Sequence, residues 1–262
     1  MRGSDISSKY DYSTGGVTAG FDKKISNNLL LGFSTGYSQT KVDMKDLSDK
    51  GTISSYQGSL YGAYLSGPWY VNGILAYSYN RYDTSRDISF GGINRTANAD
   101  YTGHTIAAYT EAGYLFKIDT LSIIPMASFQ TSYLTRNGFT EEDAAALNLS
   151  VDRERTASYL GALGIKVRKD FARTAGMITP ELRIKWLHEF SNDAYVLNAS
   201  FADAPGSTFS VRGDRPNRDS LALGFGLTCL TKDNVSIFLT YDANISEDHT
   251  EQGGSMGIRY RW

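Results

Sequence analysis

The chain has 262 residues, with 26 Lys plus Arg against 28 Asp plus Glu and a formal net charge of −2. This balance gives no reason to expect nucleic acid as a partner. Apolar runs such as Leu29–Leu31 fall far short of the about 18 residues that a spanning helix needs, which excludes a helical membrane protein. A single cysteine, Cys229, excludes an internal disulfide and a Cys-rich zinc site.

Strand-forming and turn-forming residues dominate the composition. Aromatic residues reach 13%, made up of 18 Tyr, 12 Phe and 3 Trp, beside 26 Gly and 5 Pro. Apolar residues at 41% and charged residues at 21% exclude a disordered chain, yet the mean hydropathy is only −0.33. The composition therefore predicts an all-β protein.

Hydrophobic residues alternate with a period of two along almost the whole chain, as in strands with two unlike faces. In chain order, the alternating runs predict strands near 13–24, 28–40, 54–66, 69–83, 102–117, 121–134, 155–168, 178–189, 220–229, 235–244 and 256–262. Phe238 breaks the alternation of its run. In the eighth run, Leu182, Ile184 and Trp186 alternate with charged residues, so that one face of the strand is apolar and the other is charged.

The connections between these runs are alternately short and long. Short connections rich in turn residues lie near 25–28, 66–68, 117–120, 170–176 and 232–234. Longer polar connections lie near 41–53, 84–101, 135–153, 191–217 and 245–252, and residues 191–217 could hide strand extensions. This pattern predicts an antiparallel up-and-down meander with two unlike ends.

A soluble β-sandwich would also alternate, but three features favour a transmembrane antiparallel β-barrel. Charged residues and glycines share the minority face of central strands, and apolar alternation continues to the last residue, Trp262. Aromatic residues also gather at strand ends, as in the two interfacial girdles of an outer-membrane barrel. These are Tyr37, Trp69, Tyr79, Tyr82, Tyr101, Phe116, Tyr133, Trp186, Phe190 and Trp262. A closed sheet leaves no backbone group unpaired in lipid.

Eleven strand-length runs are an odd number, whereas single-chain bacterial barrels have an even number of strands. We therefore expect about twelve strands in the parent protein, with Met1 to Ser8 as the remnant of a first strand. Residues 1–262 are expected to form a single barrel domain. Any export signal is expected to have been removed or to lie outside the chain, because no apolar segment opens it.

Five motifs, taken in order, resemble the autotransporter β-domain, the translocator barrel of type V secretion. They begin with Tyr10-Asp11-Tyr12 followed by 15–22 and 28–32, and continue with Gly138-Phe139-Thr140-Glu141 and 146–149. Pro180-Glu181-Leu182-Arg183 with 186–190, the segment 201–213 and the aromatic carboxyl terminus complete the set. The resemblance extends from Tyr10 to Trp262.

The resemblance implies a monomeric, twelve-stranded barrel in the bacterial outer membrane that anchors and exports an upstream passenger domain. Outer-membrane lipid, the β-barrel assembly machinery and the chain's own passenger are the implied partners. The pore helix and the tryptophan-bearing first strand of the family are not found in this sequence. The resemblance also implies that the last strand is an assembly signal, formed by Met256, Ile258, Tyr260 and Trp262.

Inward-facing charges are the best candidates for functional residues, because basic side chains facing lipid would each cost about 2–4 kcal/mol at the bilayer midplane. They could brace the barrel or contact a segment threaded through it. The predicted pore-lining residues are Glu111, Lys166, Arg168, Glu181, Arg183, Lys185, Arg259 and Arg261.

Enzymatic chemistry has little support in the sequence. The histidines, His104, His188 and His249, are far apart and lack metal-site or nucleophile-elbow spacing, so we expect no catalytic residue, cofactor or metal. A barrel lipase or protease stays open as a function, because Ser, His and Asp could meet in space above the membrane. The same is true of a small-solute pore and of an adhesin or membrane anchor.

Overall fold

A computed structural model describes residues 10–44, 49–191, 196–213, 217–232, 234–247 and 249–261. Almost all of them lie in antiparallel strands. The strands are β1 (Tyr10–Lys24), β2 (Leu29–Met44), β3 (Lys50–Ser66), β4 (Trp69–Phe90), β5 (Ile93–Tyr114), β6 (Phe116–Ile118), β7 (Leu121–Arg136), β8 (Phe139–Thr140), β9 (Leu149–Val151), β10 (Glu154–Lys169), β11 (Phe171–Arg173), β12 (Gly176–Glu189), β13 (Val196–Phe201), β14 (Ala204–Arg212), β15 (Asp219–Thr231), β16 (Val235–Ile245) and β17 (Thr250–Tyr260).

Helical structure in the described residues is one short 3-10 turn, Ala145–Leu147. No helix among the residues described is long and apolar enough to span a membrane.

Eleven long strands form the main sheet, in the order β1-β2-β3-β4-β5-β7-β10-β12-β15-β16-β17. Each long strand pairs with the next long strand along the chain, which is the predicted up-and-down meander. Short connections such as Ile25 to Asn28 join strands at one end. The two long connections, between β7 and β10 and between β12 and β15, lie at the other end. The sheet positions the candidate site because its curvature brings distant strands together.

The two edge strands, β1 and β17, face each other across a seam. An odd number of antiparallel strands makes the first and last run in the same direction, and among the described residues they share no backbone ladder. A side-chain ion pair crosses the seam instead, since Nη2 of Arg259 lies 3.4 Å from Oδ2 of Asp22. The prediction of a twelfth strand concerns Met1 to Ser8, which lie outside the described residues.

The sequence pattern predicts a long polar loop near 84–101, and this prediction is wrong. The structure continues β4 to Phe90 and begins β5 at Ile93, with a tight turn at Gly91 and Gly92 in the left-handed region. Residues 191–217 contain the strand extensions β13 and β14, which join β8 and β9 in a four-stranded sheet ordered β14-β13-β9-β8. At the end with long connections, β4, β5 and the four-stranded sheet therefore extend well beyond the other strands.

Candidate functional site: the charged inner face

The inner face of the curled sheet is identified by side chains that meet across several strands. Lys185 on β12 reaches Glu111 on β5, although β7 and β10 lie between these strands. Lys166 on β10 lies 5.7 Å from the ring centre of Tyr70 on β4. Such contacts are possible only on a concave surface, because side chains on a convex surface point apart.

Glu111 is the hub of this face and is only 6% exposed. Its Oε1 accepts a hydrogen bond from the Tyr70 hydroxyl at 2.9 Å and lies 3.5 Å from Lys166 Nζ. Its Oε2 accepts hydrogen bonds from the Tyr109 hydroxyl at 2.7 Å and from Lys185 Nζ at 2.9 Å. Two ammonium groups therefore share one carboxylate, and both of its oxygens have donors.

A glycine makes room for one of these partners. The ring of Tyr70 lies close to Gly113 on β5, and a Cβ at this glycine would be 2.5 Å from the tyrosine Cε1. Only the absence of a side chain there lets the tyrosine hydroxyl reach Glu111.

Arg183 forms a second cluster, closer to the end with short connections. Its guanidinium donates to Glu181 at 2.7 Å and to Asp242 at 2.9 Å. Gly224 lies beneath it, where a Cβ would be 2.6 Å from Nε of Arg183. The third cluster is the seam, where the Tyr61 hydroxyl donates to Asp22, the carboxylate that also faces Arg259.

The strand register places seven of the eight predicted residues on this inner face, and Arg261, just after β17, lines a cavity beside Arg168. Glu111 lies opposite Asn72 and Ser128, and Lys166 lies opposite Arg183 and Ile124. Glu181, Arg183 and Lys185 are spaced two residues apart on β12, as are Lys166 and Arg168 on β10. Arg259 lies on β17, and Arg261 follows it.

Sequence reasoning did not single out Tyr70, Tyr109, Asp22 or Asp242 as partners of these charges. Asp242 could have been found, because it lies on the polar face of the 235–244 alternation. The tyrosines carried no such signal, since aromatic residues occur on both faces.

The opposite face is convex and apolar. On this face, the side chains of Leu60 and Leu163 are 63% and 58% exposed. A water-soluble protein seldom exposes so many large apolar side chains on one continuous surface. At the end with short connections, Trp69 packs edge-on against Tyr114 at 4.9 Å between ring centres. At the other end, Tyr37 packs against Tyr56 at 5.2 Å. Two aromatic bands therefore flank an apolar belt.

Two of the predicted girdle residues face inward, so their assignment to lipid is wrong. Tyr82 and Tyr101 stack at 4.8 Å, and Tyr101 stacks on Phe139 at 4.0 Å. The Arg136 guanidinium lies 5.6 Å from the Tyr101 ring centre. These rings pack against the inner wall above the apolar belt. There the strands continue beyond the membrane, and their side chains still alternate between the inner and the outer face.

Arg86 on β4 stabilises the part of the sheet that extends beyond the apolar belt. It donates from Nε to Glu141 Oε1 at 2.9 Å, and its Nη2 contacts Glu141 Oε2 and the Leu147 carbonyl oxygen. The hydrogen bond from the guanidinium to the Glu141 carboxylate is the main reason that the pKa of Arg86 is raised above its usual value. Ala144 is fully buried against Ile88 and Ala97 beside it.

The three histidines lie apart. His104 is on the convex face, where the Tyr77 hydroxyl is 2.7 Å from its Nδ1. His188 pairs with Asp219 at 2.9 Å. His249 Nδ1 lies 3.0 Å from Ser246 Oγ, but this oxygen also bonds to the backbone nitrogen and oxygen of His249, which is the geometry of a braced turn. Within the part of the chain described, no three metal-ligating side chains are grouped.

Three of the predicted assembly-signal residues lie on the convex face of β17. Met256, Ile258 and Tyr260 are 78%, 72% and 59% exposed. Trp262 lies outside the described residues.

Two solved structures of similar shape are domains of autotransporters. The translocator domain of autotransporter NalP from Neisseria meningitidis superposes with a TM-score of 0.77 at 14% identity, over 97% of this chain and 82% of that one. The beta domain of the Bordetella autotransporter BrkA superposes with a TM-score of 0.69 at 20% identity, over 97% and 92% of the two chains. At these identities the likeness shows the fold alone.

Sequence relatives are longer proteins. An extracellular serine protease of Serratia marcescens is 25% identical over 260 residues, which are 99% of this chain and 25% of that protein. Outer membrane protein A of Rickettsia rickettsii is 27% identical over 96% of this chain and 12% of that protein. This chain thus spans a quarter or less of either relative.

The family described as "Autotransporter beta-domain" matches residues 1–242. With the curled antiparallel sheet, its apolar belt and its charged interior, this match means that the chain belongs to the autotransporter beta-domain family and is a β-barrel of the bacterial outer membrane.

Proposed function

We propose that this barrel anchors an upstream passenger domain in the outer membrane and exports it to the cell surface through the charged interior. Residues 1–262 act as one translocator domain in this proposal. The observation that carries it is the family match over residues 1–242, together with the clustered charges on the inner face. The eight predicted charged residues line the passage.

The proposal assigns no catalytic step to the barrel. The relative named an extracellular serine protease is matched over only a quarter of its length, which leaves its enzymatic part room outside the matched region. In the present chain, His188 and His249 have partners that brace a strand end and a turn. A passenger supplied in cis would carry any activity that reaches the surface.

Export can be tested with an epitope-tagged, unstructured reporter fused ahead of the chain and behind a cleavable export signal. Antibody binding to intact cells should detect the reporter, and external protease should remove it. The same reporter without the barrel is the control and should stay inside the cell. A barrel that inserts normally while the reporter stays in the periplasm would contradict the proposal and favour a small-solute pore.

We also propose that the last strand is the segment that the β-barrel assembly machinery binds. An exposed strand edge offers backbone hydrogen bonds for affinity, and its alternate side chains offer specificity. Closing the barrel then removes that edge, which allows a monomer to be stable in lipid. Met256 and Ile258 support this idea, since both project freely from the convex face.

Trp262→Ala should reduce the amount of barrel in the outer membrane more than Trp69→Ala does. Trp69 is the matched control because it is a girdle tryptophan outside the last strand, packed against Tyr114. The measurement is the level of heat-modifiable protein in isolated outer membranes. Equal losses would mean that Trp262 acts only as one girdle aromatic among many.

A further inference from the structure

A cavity of about 400 Å³ opens on the inner face near the end with short connections. Its wall comes from β10, β12, β15 and β16 and from the residue that follows β17. The polar groups that line it include Arg168, Glu181, Arg183, Thr228, Ser236 and Arg261. Three guanidinium groups therefore border one cavity that is large enough for a small ligand.

Only one of these three arginines is fully paired. Arg183 donates to both Glu181 and Asp242. Among the residues described, Arg168 and Arg261 form no ion pair, and Nε of Arg168 is buried without a hydrogen-bond partner. Asp170, the remaining carboxylate on the wall, accepts a hydrogen bond from Thr179 at 2.8 Å.

An unpaired guanidinium in a confined space is a binding group for an anion. Its planar fork matches the two oxygens of a carboxylate, and such charge-assisted pairs are stronger than neutral hydrogen bonds. A buried N–H group without a partner also costs free energy that a ligand oxygen would recover. The lining of the cavity thus holds three arginines against the two carboxylates of Asp170 and Glu181, with free donors and enough room for a further carboxylate.

We propose that this cavity is a carboxylate-binding site in which Arg168 and Arg261 are the binding residues. The carboxylate comes from an acidic side chain of a polypeptide in the pore or from a free organic acid that enters from the adjacent end. The first source rests on the proposed export function, and the second does not. Arg183 takes no part in the recognition, because its own two carboxylates occupy it.

The test uses the purified full chain in detergent micelles and a fluorescein-labelled hexaglutamate peptide, with binding followed by fluorescence anisotropy. Arg168→Gln and Arg261→Gln should each weaken binding about tenfold, in line with the loss of one charge-assisted hydrogen bond. Arg168→Lys keeps the charge but loses the fork, so it should give an intermediate loss. Unlabelled citrate is added as a competitor to distinguish a free organic acid from an acidic side chain as the source of the carboxylate.

Lys169→Gln is the matched control. It removes the same charge one residue further along β10, on the convex face, where the ammonium lies 5.2 Å from the Phe171 ring centre. Its binding should equal that of the unmodified chain. Circular dichroism and heat-modifiable migration on gels establish that each variant has folded.

Competition by citrate supports a site open to free acids, and binding of the peptide without citrate competition supports a site for a threaded chain. An equal loss in Lys169→Gln and Arg168→Gln would overturn the proposal, because only net charge would then matter. Binding of neither probe would also overturn it. The reporter export experiment is independent, so a barrel that exports its reporter but binds no carboxylate would refute only this inference.

Discussion

Replacing Glu111 with glutamine should strongly destabilise the barrel. The substitution keeps the shape of the side chain but removes the charge that Lys166 and Lys185 share, at 3.5 and 2.9 Å. The new amide also replaces one acceptor oxygen with an NH2 group, which then faces a donor that had bonded to the carboxylate. Two ammonium groups are then left on the inner wall without their carboxylate.

The size of the effect follows from the burial of the three groups. Removing one partner of a buried ion pair costs about 3–5 kcal/mol. The side chains of Lys166 and Lys185 keep 17% and 21% exposure, so water in the barrel solvates them in part. We therefore expect the free energy of unfolding to fall by about 3 kcal/mol, at the lower end of that range.

Guanidinium-induced unfolding of the protein in lipid vesicles, followed by tryptophan fluorescence, measures this change. Glu142→Gln is the control, since it removes the same charge from an exposed residue of the long connection, and it should change stability by less than about 0.5 kcal/mol. A double-mutant cycle with Lys185→Gln should give a coupling energy of at least about 1 kcal/mol. Equal effects of Glu111→Gln and Glu142→Gln, or a coupling energy near zero between positions 111 and 185, would refute the role of Glu111 as the hub.

Three further predictions follow from particular contacts. Gly113→Ala should displace the Tyr70 ring and lower the free energy of unfolding by about 1–3 kcal/mol, because its new methyl overlaps the ring, and unchanged stability would contradict the close packing. Arg86→Gln should speed hydrogen exchange in residues 139–151, since its pairing with Glu141 holds that segment, while exchange in the apolar belt should not change. Native Cys229, on the convex face of β15, should react with a lipophilic maleimide and resist a water-soluble one, and the reverse result would exchange the two faces of the sheet.

The faces of the strands could be predicted from the sequence because side chains must alternate along any strand. Leu182, Ile184 and Trp186 show this best, since their neighbours are charged and lipid excludes charge. Phe238 breaks the pattern for a reason that the sequence does not display. It lies on the inner face, where its ring covers Gly257 on the adjacent strand.

The hairpin above the apolar belt could not be predicted in the same way. Between residues 84 and 101, β4 and β5 extend beyond the membrane, so neither of their faces contacts lipid. The apolar alternation therefore stops, although the backbone hydrogen-bond ladder continues to Phe90 and Ile93. Tyr82 and Tyr101 are aromatic and lie near the ends of the strands predicted from the sequence, at 69–83 and 102–117, which is the pattern of a lipid-facing girdle. The register turns both inward, where Tyr82 stacks on Tyr101 and Tyr101 stacks on Phe139.

From residue order alone, the class of fold, the meander and the inward direction of eight charged side chains can be predicted. Which charges meet depends on the folded sheet, as for Lys185 and Glu111, which are 74 residues and three strands apart. The same holds for Arg168, whose buried Nε has no partner among the described residues. The physical reason is that alternation fixes a direction along one strand, whereas distances across the interior depend on the curvature and stagger of the whole sheet.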